Sequence, residues 1–112
     1  MSAKARIDKR PLLRPDLAAE LQTLFMILAN DTRLRLLHAL VIKGELCVTE
    51  LAERLRMKPQ AVSNQLQRLV DRRILATRRD GIRIYYRIVD PCVPALLDHG
   101  VCLVEDTREE SR

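Results

Sequence analysis

The chain has no tryptophan, one phenylalanine and two tyrosines among its 112 residues. Proteins that grip single-stranded nucleic acid stack bases on aromatic platforms, and this chain has too few rings to build one. No apolar run approaches the ~18 residues that a membrane-spanning helix needs. Only two histidines are present, and no Ser-His-Asp, Cys-His or paired-carboxylate arrangement converges, so enzymatic chemistry is not expected. The three cysteines, Cys47, Cys92 and Cys102, cannot all pair within one chain. The N-terminal stretch MSAKARIDKRPLLRP is basic but has no apolar core, so it does not read as a secretory signal. The expected compartment is therefore a reducing cytoplasm, with thiols that are free, metal-bound or redox-active.

What the chain has in excess is positive charge, in one place. The net formal charge is +5. Residues 54–87 carry ten Lys/Arg against two Asp/Glu, a local balance of +8, while residues 1–53 sum to +1 and residues 88–112 to −4. A solvated surface usually mixes both signs. A cationic zone confined to a third of a small chain marks contact with phosphates.

Hydrophobic periodicity orders the chain. Leu17, Leu21, Leu24, Phe25 and Leu28 share a helical stripe, opened by Pro15 and capped by Asp16. Asn30 caps a second helix whose inner face is read as Leu34, Leu37, His38 and Val41, and Lys43-Gly44 ends it. Leu46-Cys47-Val48 is extended. Thr49 is the expected cap of a short third helix with Ala52 and Leu55 inward, and Pro59 opens a fourth over residues 60–72 with Val62, Leu66, Leu69 and Val70 inward. The period then falls to two. Ile82, Ile84, Tyr86 and Ile88 alternate with Arg83, Tyr85 and Arg87, residues 74–78 form the partner strand, and Asp80-Gly81 signals the hairpin. Asp90-Pro91 starts a last helix over roughly 91–106. There are no repeats or low-complexity segments. The fold class is α+β, mostly α: a winged helix-turn-helix flanked by an N-terminal and a C-terminal helix. The expected organisation is a basic arm over 1–15, the winged-helix domain over 16–106 and a frayed tail over 107–112. Lys4, Arg6, Lys9, Arg10 and Arg14 make the arm either a phosphate contact or a plain tail.

In such a fold the second helix of the pair enters the major groove of duplex DNA. Here that helix presents Gln60, Ser63, Asn64, Gln67 and Arg68, with Gln65 near the boundary. Amides match adenine edges, and hydroxyls serve base or phosphate. Arg78, Arg79 and Arg83 surround the hairpin tip, where a wing reaches the backbone or the minor groove. Some of these arginines are expected to pair with Asp71 and Asp80 instead. The last helix carries Val93, Leu96, Leu97, Val101, Leu103 and Val104, too apolar a circumference for one small core, so part of it is expected to meet a second copy of the chain. Two copies read an inverted repeat.

Several segments together resemble one family. Leu28-Ala29-Asn30-Asp31-Thr32-Arg33-Leu34-Arg35-Leu36-Leu37 is similar to the second-helix signature of the ArsR/SmtB repressors, and Glu45-Leu46-Cys47-Val48-Thr49-Glu50-Leu51-Ala52 to their third-helix segment. Val62-Ser63-Asn64-Gln65-Leu66 resembles their recognition helix, with Gln65 where histidine is common, and Arg78-Arg79-Asp80-Gly81 with Tyr85-Tyr86-Arg87 resembles their wing. The likeness spans residues 17–105. It implies a homodimeric repressor, joined through its first and last helices, that leaves its operator when a metal ion, metalloid or reactive sulfur species binds.

The resemblance also implies where an effector would act. The family's third-helix Cys-x-Cys pair survives only as Cys47, since Thr49 replaces the second thiol, so Cys47 is a weaker candidate and reads as a small buried hydrophobe. His38 stands near the second-helix thiol of persulfide sensors and reads as a packing or interface histidine. On the last helix, Asp90 and Cys92 near its start and Cys102 and Glu105 near its end stand where the family places an intersubunit metal site, with His99 one turn before Cys102. Ten residues of helix span about 15 Å, so Cys92 and Cys102 meet only across two chains. The gap is one residue shorter than the family's, and Leu103 falls where a further ligand would stand. Thiolates favour zinc, cadmium, lead or copper. The thiols are read as a metal site, an intersubunit disulfide or inert residues. The other functional reading is a winged-helix protein-interaction module with no operator of its own.

Overall fold

A computed structural model describes residues 6–110. Lys4 therefore lies outside the described residues, as do the last two positions of the expected tail. After a single 3-10 turn at Ile7–Lys9 the elements are α1 (Pro15–Leu28), α2 (Asp31–Lys43), β1 (Leu46–Cys47), α3 (Val48–Leu55), α4 (Pro59–Asp71), β2 (Leu75–Asp80), β3 (Arg83–Ile88) and α5 (Cys92–Glu110). The three strands form one antiparallel sheet in the order β1-β3-β2. This is the winged helix-turn-helix expected from the sequence.

Local chemistry accounts for most boundaries. Asn30 Oδ1 accepts the Arg33 N–H at 3.0 Å and starts α2. Gly44 ends it with φ +84°, a backbone state costly for any residue with a Cβ. At α3 the cap is Cys47, not Thr49, because β1 runs directly into the helix. Glu50 reaches back to accept the Cys47 N–H at 3.0 Å, half of a capping box. Asp16 is not the cap of α1 either. Arg14 holds that position, Pro15 is the first helical residue, and Asp16 sits in the first turn, where its charge meets the positive helix end.

The core is aliphatic: Leu36, Leu37 and Leu40 of α2, Leu51 and Leu55 of α3, Val62, Leu66 and Leu69 of α4, with Ile74, Leu75 and Tyr86 closing the sheet side. The inner face of α2 differs from the expected one. Leu37 is buried, but the rest of the face is Leu36, Ala39 and Leu40, while Leu34, His38 and Val41 point to solvent. The stripe at 34, 38 and 41 has helical spacing too, so periodicity alone could not choose between two apolar faces. The outer one remains uncovered in the single chain.

The hairpin is longer than expected on its first strand, and its turn is one residue later. Asp80 pairs with Arg83, leaving Gly81 and Ile82 as the two turn residues, with Gly81 at φ +65°. Glycine in the first central position suits a two-residue hairpin loop. Ile82 therefore leaves the expected strand alternation, and Ile84 is also exposed. Only Tyr86 is buried, with Ile88 half-buried, because the tip extends beyond the helices that cover the base of the sheet. At the other end of the chain α5 continues to Glu110, past the expected end near 106. Val93 and Leu97 pack against the core, whereas every described side chain from Asp98 to Arg108 is exposed.

Candidate nucleic-acid interface

Helix α4 is held by Val62, Leu66 and Leu69, all fully buried against the core. That one-sided anchoring points Gln60, Asn64, Gln67 and Arg68 into solvent, with Ser63 half-buried beside them. Two amides are pre-arranged by neighbours four residues along: Gln60 Nε2 donates to Asn64 Oδ1 at 3.0 Å, and Gln67 Nε2 donates to Asp71 Oδ1 at 2.8 Å. Such i, i+4 pairs restrict rotamers and reduce the ordering cost of a later contact. Asp71 thus accepts from Gln67 and not from the arginines expected to pair with it. Arg68 and Arg79 make no ion pair among the described residues.

Gln65 has a different task from its neighbours. It is half-buried and its Oε1 accepts Arg33 Nε at 2.8 Å, while Arg33 Nη1 donates to the Ile27 carbonyl at 3.0 Å. One guanidinium therefore ties the end of α1, the start of α2 and the middle of α4. Arg33 was not singled out from the sequence, and a separation of 32 positions between the partners leaves no local signal.

The wing shows the same division. Arg78 is clamped to Glu45 in the α2–β1 connection, with Nε at 3.1 and 3.2 Å from the two carboxylate oxygens and Nη2 at 2.6 Å from Oε1. Its guanidinium also lies 4.8 Å from the ring centroid of Tyr85, its cross-strand partner. The hydrogen bond to Arg78, reinforced by the charges of Arg78 and Arg87, holds the Glu45 carboxyl below its ordinary pKa of 4.5, and the same pair raises Arg78. Asp80 stands 4.0 Å from Arg78. Arg83 is exposed, with Nη1 3.8 Å from the buried Cys47 sulfur. Arg78 thus stiffens the wing, while Arg79 stands exposed near its tip.

The candidate effector residues are spread along α5. Asp90 Oδ1 accepts the Cys92 N–H at 2.8 Å at the helix start. Cys92, His99, Cys102 and Glu105 are all exposed, and Cys102 Sγ lies 3.7 Å from Asp106 Oδ2, a carboxylate the sequence reading had not picked out. No disulfide forms among the described residues, and in a single chain no three His, Cys, Asp or Glu side chains among them are grouped to hold an ion. Cys47 is buried in the core and caps α3.

A helix packed on its aliphatic side and presenting amides, followed by an arginine-bearing hairpin, defines a winged helix-turn-helix regulator. Comparison with known proteins agrees. Residues 28–78 match a family model described as a helix-turn-helix domain. An arsenic resistance transcriptional regulator of Pseudomonas putida is 38% identical over 86 residues, covering 77% of this chain and 66% of that protein. A probable mercury resistance operon repressor of Streptomyces lividans is 35% identical over 96 residues, 86% of this chain and 74% of that one. The crystal structure of the AntR antimony-specific transcriptional repressor superposes with a TM-score of 0.82 at 57% identity, covering 97% of this chain and 98% of that one. The chain belongs to the ArsR/SmtB family of winged-helix transcriptional repressors. Among the described residues no helix is long and apolar enough to cross a membrane.

Proposed function

We propose that this chain is a homodimeric, sequence-specific transcriptional repressor that binds an inverted-repeat operator and is released by a soft metal or metalloid ion. The observation that carries the reading is the 57% identity to an antimony-specific repressor across nearly the whole of both chains. The exposed amide face of α4 supports duplex reading, with Gln60, Ser63, Asn64, Gln67 and Arg68 at the groove and Arg79 and Arg83 on the backbone or in the minor groove. Gln65 and Arg78 act as positioning residues in this scheme, since both are engaged within the fold. Duplication is supported by α5, whose Val101, Leu103 and Val104 lie open, and by a shallow apolar groove of about 450 Å³ along α1 that Leu21, Phe25 and Met26 line.

The effector reading rests on Cys92 and Cys102. Both thiols are exposed, and an antiparallel pairing of two α5 helices would bring Cys92 of one chain beside Cys102 of the other. Two such thiolates suit a soft ion, which would bridge the helices, with Asp90, His99, Glu105 and Asp106 as nearby oxygen and nitrogen donors. The ion must favour the off-DNA dimer for it to induce. The names of the relatives reported above point to arsenic, antimony and mercury as candidates. The exposure of both thiols also favours a second reading, an intersubunit Cys92–Cys102 disulfide.

A gel shift on DNA upstream of the chain's own gene, in reductant, tests the scheme. Expected is a palindrome-selective complex that antimonite, arsenite or cadmium dissociates. Absence of a sequence-selective complex overturns the repressor reading. A complex insensitive to those ions but dissociated by oxidant, with a dimer on non-reducing gels, favours the disulfide.

A further inference from the structure

Ile82 is fully exposed, the most exposed large aliphatic side chain in the described core domain, and it sits at the tip of the wing. A hairpin tip has no core to fill, and the second position of this turn accepts small polar residues at no structural cost. An isoleucine there gives nothing to the folded chain and exposes apolar surface to water. Its surroundings are cationic: Arg79 precedes the closing Asp80–Arg83 pair, and Arg83 follows Ile82 directly. The tip is also held in place. The Arg78–Glu45 clamp fixes the hairpin to the body, and the Arg78–Tyr85 stack joins its two strands. A stiff hairpin with an apolar point between arginines is complementary to one surface in particular, the minor groove, whose walls are apolar sugar faces beneath rows of phosphates.

We propose that Ile82 is the wing's apolar contact in the operator minor groove, seated against the sugar edges while Arg79, which makes no ion pair among the described residues, holds the flanking phosphate. Minor-groove proteins use isoleucine and leucine in this way, widening or partly unstacking a step. The contact adds affinity that is not electrostatic and favours deformable sequence at the outer flank of each half-site. This inference rests on the repressor reading of α4 and the wing.

The experiment compares wild type, Ile82→Ser and Ile82→Val on the inverted repeat, with Kd measured across a salt series, hydroxyl-radical footprints and sedimentation of the free protein. Fold and dimer are expected to be unchanged, because the side chain touches nothing. Ile82→Ser is expected to bind about tenfold more weakly per half-site, hence about a hundredfold on the whole repeat, the scale of one aliphatic side chain's burial in each wing. Its salt slope stays that of wild type and minor-groove protection at the flanks is lost, whereas Ile82→Val keeps most of both. Equal affinity and footprints for Ile82→Ser overturn the inference, as does a loss explained by a changed salt slope or by dissociation of the dimer. A wild-type chain that binds no repeat selectively fails earlier, and overturns the repressor reading itself.

Discussion

Helices α4 and α5 differ in where they place their apolar residues. Helix α4 buries Val62, Leu66 and Leu69 completely and leaves its polar side to solvent. Helix α5 packs only Val93 and Leu97 on its own chain, and leaves Val101 56% and Leu103 69% exposed. The first is a finished surface whose outward residues are available for recognition. The second is an unfinished one, whose apolar residues contribute nothing until another surface covers them. Charge follows the same line: the segment containing α4 and the wing carries +8, while the segment from 88 onward carries −4. In the proposed scheme the acidic last helix is the part repelled by phosphate, which suits it to assembly.

Truncating one leucine in each helix separates these roles most strongly. Leu66→Ala should cost about 3 kcal/mol of folding free energy, within the 2–5 range for buried leucine, read by urea unfolding. Leu103→Ala should change the folding stability of the dilute monomer by less than about 0.5 kcal/mol. It should instead weaken self-association, seen as a raised dimer dissociation constant in sedimentation. If both variants lose the same stability and neither alters assembly, α5 is an ordinary core helix and the contrast fails.

The next effect divides the reading helix from the wing. Asn64→Ala should lower operator affinity by about 1–3 kcal/mol while leaving binding to random duplex nearly unchanged. Arg79→Ala should weaken both kinds of DNA similarly and reduce the salt slope of the dimer by about two, one per protomer. A fluorescence-anisotropy series over salt, on operator and scrambled duplex, distinguishes them. Identical behaviour of the two variants removes the division between specifying and anchoring residues.

How far this contrast could be read from sequence varied with the range of the interactions. The elements, the aliphatic inner face of α4 and the Asn30 and Gly44 caps were legible, because each depends on residues within one or two turns. The face of α2 was not: Leu34, His38 and Val41 have the same spacing as a buried stripe, and only the packing of α3 and α4 shows that the other side is inside. Two site residues have partners that no local pattern announces. Gln65 and Arg78 looked available for DNA, but partners about 32 residues away, Arg33 and Glu45, engage them in the fold. The exposed amides Gln60, Asn64 and Gln67 were legible because nothing remote claims them.

The Glu45–Arg78 clamp gives a smaller, pH-dependent effect. The Glu45 carboxyl titrates below its ordinary 4.5, so ionised Glu45 favours the clamped wing. That contribution is complete above 4.5 and is lost as the pH falls through the lowered value. Amide exchange at the β2–β3 tip should therefore speed up on acidification below 4.5 after correction for intrinsic rates. Glu45→Gln should show the faster exchange already at neutral pH, with global stability almost unchanged because the pair is solvent-exposed. Equal, pH-independent protection in both proteins would show that the wing is stiff for another reason.

A further contrast concerns two arginines at backbone positions that glycine usually fills. Arg56 ends α3 and Arg73 follows α4, with φ of 56° and 59°. Each sits in the left-handed position of a helix-ending motif. Met57 N–H bonds to the Ala52 carbonyl at 3.0 Å in one, and Ile74 N–H to the Leu69 carbonyl at 3.0 Å in the other. Glycine is the usual occupant because a Cβ is disfavoured there. Keeping arginine at both places sacrifices stability for charge in the same segment that α4 and the wing occupy. Arg73→Gly should therefore stabilise the fold by about 0.5–1 kcal/mol, the relief of left-handed strain less the extra entropy of an unfolded glycine. If its charge also serves the DNA, the same change should weaken DNA binding and lower the salt slope. The two changes have opposite signs, so a general loss of structure cannot imitate them. A variant that gains stability and binds operator as before would mean that the arginine serves neither the fold nor the DNA. The cationic excess would then be larger than the interface it surrounds.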